Sequence, residues 1–268
     1  MNLTSPSQVK SWCIANGFHP NKVLGQNFLI DRNALEAIVN AGELLDESNV
    51  LEIGPGLGVL TEELLKRGHC VTAIEKDPVL AERLAESLGN PEKLNVIAGD
   101  ALDAVKEGAC DGFNALVSNL PYQAGTRILL DVISRPESRA ERIVILVQTE
   151  VAERLAAGPG NKTRGLAGVW AQFDYDVKIV RAVKASCFWP RPQIGSTVVF
   201  MKRHHRNDDV PPEVRATFKQ LTKTAFEHRR KQLGSTFKGI IESTARAEDL
   251  TNEEWLDLAT ALTTTGEE

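Results

Sequence analysis

The sequence predicts an α/β protein in which residues 1–206 carry a doubly wound parallel sheet and residues 207–268 form a small helical domain with an acidic tail. Two observations predict this. From Asn49 to Val147, short apolar runs alternate with amphipathic stretches; after Glu150 that rhythm changes. The apolar runs are nearly continuous rather than alternating, as expected of parallel strands covered on both faces. Strand–helix alternation of this kind winds into one sheet through right-handed crossovers.

Taken in order, 5–16 and 31–41 read as helices before the sheet, joined by "NKVLGQNFLID". Strands follow at "VLEIG" (50–54), "CVTAIE" (70–75), "LNVIAG" (94–99), "NALVS" (114–118) and "RIVILVQ" (142–148). Between them, "LGVLTEELLKRG" and "DPVLAERLAESLG" repeat Leu at helical spacing and close on Gly, a helix-stop signal. "AGTRILLDVIS" fits a further helix. Beyond Glu150, "AAGPGNKTRG" reads as a loop, and "DYDVKIVRAV" and "STVVFMKRHH" as two strands around the proline-punctuated "CFWPRPQIG". "NDDVPPE" is a linker with Pro212 at a helix start. The last region reads as helices over "VRATFKQLTKTAFEHRRKQL", "FKGIIESTA" and "NEEWLDLATAL".

Composition is that of an ordinary globular protein. The opening "MNLTSPSQVKSWCIANG" lacks the apolar core of a signal peptide, and no run approaches a membrane span. Cys13, Cys70, Cys110 and Cys187 lie far apart with no His at ligand spacing, so a reduced cytoplasmic chain without a metal site is expected. The net charge of −5 hides an uneven distribution: residues 181–232 hold twelve Lys/Arg against four Asp/Glu, whereas residues 241–268 hold one Arg against eight acids. That basic segment is either a solvated face or a polyanion-binding surface.

In an open parallel sheet, ligands bind beyond the carboxyl ends of the strands. Four motifs fall at such ends here. "EIGPGLG" brings backbone close to a ligand at a helix N-terminus. Glu75 in "IEKD" can accept ribose hydroxyls, and Asp100 in "AGD" can accept an exocyclic amine. "SNLPY" sets an amide, a rigid proline and a flat ring at the fourth strand tip. Each alone is equally readable as a tight turn or a solvated strand end; their alignment at successive strand ends points to a nucleoside-containing cofactor. The spacing G-P-G-L-G is not a dinucleotide fingerprint and no phosphate-loop Lys is present. Glu52 beside the loop suits a cofactor without pyrophosphate, and E-x-G-x-G with an acidic second-strand end resembles S-adenosylmethionine-dependent methyltransferases.

"LGQNFLID", "VLEIGPGLGVLT", "IEKDP", "GDAL", "NLPYQ", "FWPRPQIGSTVV" and "AFEHRRKQL" occur in the order and context of the ribosomal RNA adenine N6,N6-dimethyltransferases, which this chain resembles over roughly residues 20–240. The branch it looks most like modifies two adjacent adenosines near the 3′ end of small-subunit rRNA. The resemblance implies a Rossmann-like class I methyltransferase sheet with S-adenosyl-L-methionine as cofactor. It implies that Asn27 and Leu29 close over the cofactor, Gly54 lies in its glycine loop, Glu75 holds the ribose, Asp100 the adenine amine, and Asn119 the end nearest the methyl group. In the target site, Asn119 and the Leu120 carbonyl would grip the substrate N6 amine beside Pro121, with Tyr122 and Phe188 sandwiching an extruded base; read on its own, without the family parallel, Phe188 is a core aromatic. Arg181, Lys184, Arg191, Lys202, Arg203, Arg206, Arg229, Arg230 and Lys231 would bind rRNA phosphates; Arg229, Arg230 and Lys231 read equally as a solvated helix face or as partners of acids in the tail. The expected partner is small-subunit rRNA within a pre-ribosomal particle, met by a monomer, with no membrane. "QAGTRIL" after "NLPY" and "KTRGLAGVW" depart from the family's usual pattern, which bears on target choice. Two alternatives stand beside this reading: a large-subunit rRNA adenine methylase of the macrolide-resistance type, against which the pI near 5.7 counts, and a ribosome-assembly or nucleic-acid-binding factor with little catalysis.

Overall fold

A computed structural model describes residues 1–21, 23–135 and 140–265. Lys22 in the segment joining the first two helices, and the last three residues of the acidic tail, lie outside the described residues. The chain divides into two units: Met1–Ala152 with Lys178–Lys202, and Glu153–Val177 with the residues from Arg203 onward.

The main sheet has seven strands: β2 (Asn49–Ile53), β3 (Cys70–Glu75), β4 (Leu94–Ala98), β5 (Ala115–Asn119), β6 (Arg142–Gln148), β7 (Tyr175–Val183) and β9 (Ser196–Arg203), in the order β4-β3-β2-β5-β6-β9-β7. β4 through β6 run parallel, and β9 pairs antiparallel with β6. The order reverses between β2 and β5, which creates the crevice where such sheets bind ligands. A separate two-stranded ladder joins β1 (Phe28–Leu29) to β8 (Phe188–Trp189), with Leu29 opposite Phe188. β2, β5 and β6 are buried almost throughout, which explains their unbroken apolar runs.

Helices α2 (Arg32–Ala41), α3 (Val59–Lys66), α4 (Pro78–Ser87), α5 (Ala101–Lys106) and α6 (Gly125–Ser134) connect these strands. Ile38, Leu64 and Leu84 from three of them enter the core with Val50, Val71 and Val117. α1 (Pro6–Ala15) buries Val9 and Cys13 against Leu57 and Leu80, so the N-terminal extension is part of the first unit.

The second unit contains α7 (Thr149–Ala156) beyond its first turn, α8 (Leu166–Asp174), α9 (Pro212–Glu227), α10 (Leu233–Thr236) and α11 (Asn252–Thr265). This differs from the expected division at 206/207. Residues 153–177 join the helical unit because Val169 and Phe173 of α8 share a core with Phe218, Leu221 and Trp255, and the Phe173 and Phe218 ring centroids lie 4.2 Å apart. The helix expected over 237–245 is absent. Leu233 and Gly234 donate to the Ala245 and Ser243 carbonyls, folding the segment back, and Gly239 sits at φ +75°.

Candidate active site

A cavity of about 200 Å³ opens at the carboxyl ends of β2, β3 and β5 in the first unit. Asn27, Leu29, Gly54, Glu75, Asp100, Asn119, Leu120, Pro121 and Tyr122 all line it. The structure thus brings together every sequence-predicted cofactor and target residue except Phe188. That aromatic is 2 % exposed and packs in the core with Leu29 and Val183. The β1–β8 ladder pairs it with Leu29, and Tyr122 and Phe28 are the aromatic residues of the lining.

The glycine loop leaves β2 with Gly54, Gly56 and Gly58 at φ +69°, +60° and +86°. An alternation of left-handed residues is open to glycine at little cost. A Cβ on Gly56 would lie 3.0 Å from the Phe28 ring, and one on Gly58 2.6 Å from Leu84 Cδ1. Gly58 therefore serves close packing around the loop, while Gly54 and Gly56 border the cavity itself.

Three carboxylates face this cavity, and each is held differently. Glu52, on β2, is 1 % exposed and accepts one hydrogen bond at 2.7 Å from Thr61 Oγ1. Burial, opposed by that bond and reinforced by neighbouring Glu75, pushes its pKa up to about 8. Glu75 accepts the Gly56 N–H at 3.0 Å on one oxygen and the Asp77 N–H at 2.8 Å on the other. Burial raises its pKa, and these amides oppose the rise. Asp100 caps α5 through the Leu102 N–H and accepts Lys76 Nζ at 2.6 Å; the lysine bond leads the causes that lower its pKa.

At the fourth strand tip, Asn119 Nδ2 donates to the Asn27 carbonyl at 3.2 Å. That bond fixes the amide orientation, since the reverse would set two oxygens face to face. Asn119 Oδ1 is buried and has no hydrogen-bond partner among the described residues. A buried acceptor left bare costs about 1–3 kcal/mol, and this one belongs to a residue of the cavity lining. Tyr122 OH lies 2.7 Å from Ser196 Oγ at the start of β9. Pro121 O accepts the Gly125 N–H at 2.7 Å, which closes the turn into α6.

Sequence reasoning missed several supports. Gln26 Nε2 donates to Asp77 Oδ2 at 2.9 Å, tying the N-terminal segment to the β3–α4 turn. Asp77 also caps α4, so "KDP" was a readable helix start. Lys76 sits between Glu75 and Asp100, but nothing in its spacing shows that it reaches Asp100. Ser196 is separated from Tyr122 by 74 residues and carried no local signal.

The basic residues divide between the units. Arg181, Lys184, Arg191 and Lys202 are exposed in the first. In the second, Arg230 and Lys231 are exposed, and Arg206 forms an exposed ion pair with Asp176 at 2.8 Å. The Arg203 side chain is only 13 % exposed and pairs with Asp208, while Arg229 bonds the Lys162 carbonyl and lies 3.5 Å from Glu248, an acid of the tail, one of the roles its sequence allowed. Among the described residues no His/Cys/Asp/Glu cluster could hold a metal, and no helix is long and apolar enough to cross a membrane.

The donor set tests the cofactor. Glu75 and Asp100 would repel a phosphate chain, whereas a nucleoside bearing a sulfonium and an ammonium finds hydroxyl and amine acceptors and compensating negative charge. The residues fit S-adenosylmethionine.

Comparison with known proteins agrees. The ribosomal RNA adenine dimethylase family profile matches residues 17–263. The chain is 35 % identical over 289 residues to a Ligilactobacillus salivarius protein named ribosomal RNA small subunit methyltransferase A, covering 98 % of this chain and 97 % of that one. A Deinococcus radiodurans protein of the same name is 41 % identical over 236 residues, covering 88 % and 78 %. Among solved structures, a dimethyladenosine transferase from Plasmodium falciparum superposes with a TM-score of 0.75 at 21 % identity, covering 88 % of this chain and 97 % of that one. A 23S rRNA methyltransferase gives 0.67 at 24 %, with 88 % and 99 % covered. Those two likenesses speak for the fold. With its glycine loop, strand-tip carboxylates and bare asparagine acceptor in one cavity, this chain belongs to the ribosomal RNA adenine dimethylase family, enzymes whose methyl donor is S-adenosylmethionine.

Proposed function

We propose that this chain dimethylates the N6 amine of two adjacent adenosines near the 3′ end of small-subunit rRNA, acting as a cytoplasmic monomer on a pre-ribosomal particle. The relatives named for the small subunit support that substrate over the large one. The observation that carries the chemistry is the unpartnered Oδ1 of Asn119, a residue of the cavity lining.

When bound, S-adenosylmethionine supplies an electrophilic methyl group on a sulfonium. The chain's own residues deal with the nucleophile. An adenine N6 lone pair is delocalised into the ring and attacks weakly. Asn119 Oδ1 and the Leu120 carbonyl, each accepting one N–H, favour a pyramidal nitrogen and turn its lone pair toward the methyl side. Positive charge grows on that nitrogen in the transition state, where fixed acceptor dipoles act most strongly. Pro121 and the Gly125-to-Pro121 bond hold the acceptors still, so alignment contributes much of the acceleration. The Tyr122 ring offers an extruded base a stacking face. The methylated nitrogen is acidic enough to lose its proton to water, so no strong general base is needed. Glu75 and Asp100 take the ribose and adenine of the donor.

Incubation with labelled S-adenosylmethionine and immature small subunits, mature small subunits, large subunits or naked rRNA, followed by nucleoside analysis, tests this. Dimethyladenosine is expected in small-subunit RNA, most in immature particles. Its appearance in large-subunit RNA alone overturns the reading.

A further inference from the structure

The segment that leads into β1 has little regular structure to place it. β1 is two residues long and makes one two-residue ladder with β8. Yet this segment supplies one wall of the cavity, with Leu24, Gly25, Gln26 and Asn27 in the lining. So short a ladder fixes position weakly, and side-chain bonds must do the rest. Gln26 makes them in two directions. Its Oε1 accepts the Asn21 N–H at 2.7 Å, which orients the amide, and its Nε2 donates to Asp77 Oδ2 at 2.9 Å.

Asp77 is 8 % exposed, and both of its carboxylate oxygens are engaged. Oδ1 accepts the Val79 and Leu80 N–H groups at the start of α4, and Oδ2 takes Gln26. A helix cap needs only one oxygen; the second is committed to the N-terminal segment. The Asp77 N–H donates to Glu75 Oε1, and Glu75 Oε2 accepts the Gly56 N–H of the glycine loop. On the other side, the residue after Gln26 offers its carbonyl to Asn119 Nδ2. The tips of β3 and β5 and the loop after β2 are thus tied to one glutamine.

We propose that Gln26 is a positioning residue for the methyl donor: its bond to Asp77 holds Asn27 and Glu75 at the spacing that S-adenosylmethionine binding requires. This rests on the functional reading above, in which Glu75 takes the ribose of the donor, and deepens it. Gln26 acts through Asp77 and Asn27.

The test reverses the polarity of the bond. Gln26→Glu sets two carboxylates against each other. Asp77→Asn sets two amide N–H groups against each other for as long as the oxygen at position 77 caps α4. Combined, the two substitutions restore the bond with donor and acceptor exchanged, and the α4 cap and the Asn21 N–H keep their acceptors. The Kd for S-adenosylmethionine by calorimetry and the melting temperature are read on the full chain. Loss of a hydrogen bond to a charged group predicts a Kd about 10-fold weaker in Gln26→Ala and in each polarity variant. The combined variant should return to within about 3-fold of wild type, because the two changes compensate at one contact. An unchanged Kd in Gln26→Ala, whatever its melting temperature, overturns the proposal and marks the bond as merely structural. So does a combined variant that melts like wild type but binds the donor no better than either single one. If the polarity variants do not fold, Gln26→Ala decides alone, since its half-buried side chain lies outside the core. A wild-type chain without affinity for S-adenosylmethionine, or one whose affinity survives Glu75→Ala, refutes the functional reading; wild-type affinity that depends on Glu75 but not on Gln26 refutes only the role of Gln26.

Discussion

Glu52 offers the sharpest quantitative test of the cavity's electrostatics. It is buried on β2 with one hydroxyl donor, and its pKa stands at about 8 against 4.5 for an ordinary glutamate. At pH 4 the group is neutral both folded and unfolded, so it contributes no pH-dependent term. Between pH 4.5 and 8 the unfolded chain ionises it and the folded chain does not, which favours unfolding by about 1.4 kcal/mol per pH unit. Above pH 8 both states are ionised and the loss levels off. Stability contributed by the neutral carboxyl is thus fully present at low pH and lost as pH rises through the folded pKa. A glutamine escapes this. Its carbonyl can still accept the Thr61 hydroxyl, and it never ionises.

Glu52→Gln is therefore expected to stabilise the empty sheet unit by under about 1 kcal/mol at pH 5, about 3 at pH 7 and about 5 at pH 9. Native-state hydrogen exchange at the β2 amides reads the opening of this unit and is the appropriate assay. A stabilisation that stays the same from pH 5 to pH 9 would refute the reasoning, because it would mean the carboxyl titrates alike in both states.

Asn119→Ala should abolish methyl transfer, with at least a 100-fold fall in kcat expected for loss of an aimed acceptor; normal turnover with native cofactor affinity would show that the assignment is wrong. Glu75→Ala should weaken S-adenosylmethionine binding about 10-fold or more by calorimetry, since it removes an acceptor for donor hydroxyls. Arg164→Met should destabilise the helical unit by about 2–4 kcal/mol, because it strips a buried guanidinium from the Leu250 carbonyl and Asn252 Oδ1; exchange at α11 amides should accelerate while β2 amides do not change. Replacing Lys184, Arg191 and Lys202 by Ala should each lower the salt dependence of RNA binding by about 0.7 in log–log slope, whereas Arg203→Ala should leave the slope unchanged. Equal slopes for all four would remove the first three from the RNA surface.

Much of the first unit was legible because its central strands are buried on both faces, and such burial writes itself as a continuous apolar run. The strand-tip residues were legible for a related reason: a crevice at the switch in strand order collects whatever follows each strand. What escaped depended on partners distant in sequence. Phe188 alone reads as a core aromatic, but the two-residue ladder that pairs it with Leu29 is invisible to periodicity. Arg203 read as open positive charge, with nothing local to show its pairing with Asp208, whereas the pairing of Arg229 with the tail acid Glu248 was one of the roles its sequence allowed. Residues 237–245 have helical spacing of apolar groups, but Gly239 and the return to Leu233 and Gly234 outweigh that weak propensity.

The three cavity carboxylates show why motif spacing underdetermines chemistry. At neutral pH Glu52 is mostly protonated by burial, Glu75 is compensated by two backbone amides, and Asp100 by Lys76 and a helix start. Three acidic letters in the sequence thus become three unlike acceptors, and no fixed repulsion among them has to be overcome before a ligand enters. Each compensator lies off the motif it serves or hides in its backbone. Substitutions at Thr61 or Lys76 should therefore change donor binding through Glu52 and Asp100 without removing either carboxylate, as the double-mutant cycles Thr61→Val/Glu52→Gln and Lys76→Met/Asp100→Asn would show by non-additive effects on cofactor affinity. Additive effects would mean that the carboxylates take their charge state from the cavity as a whole rather than from these individual bonds.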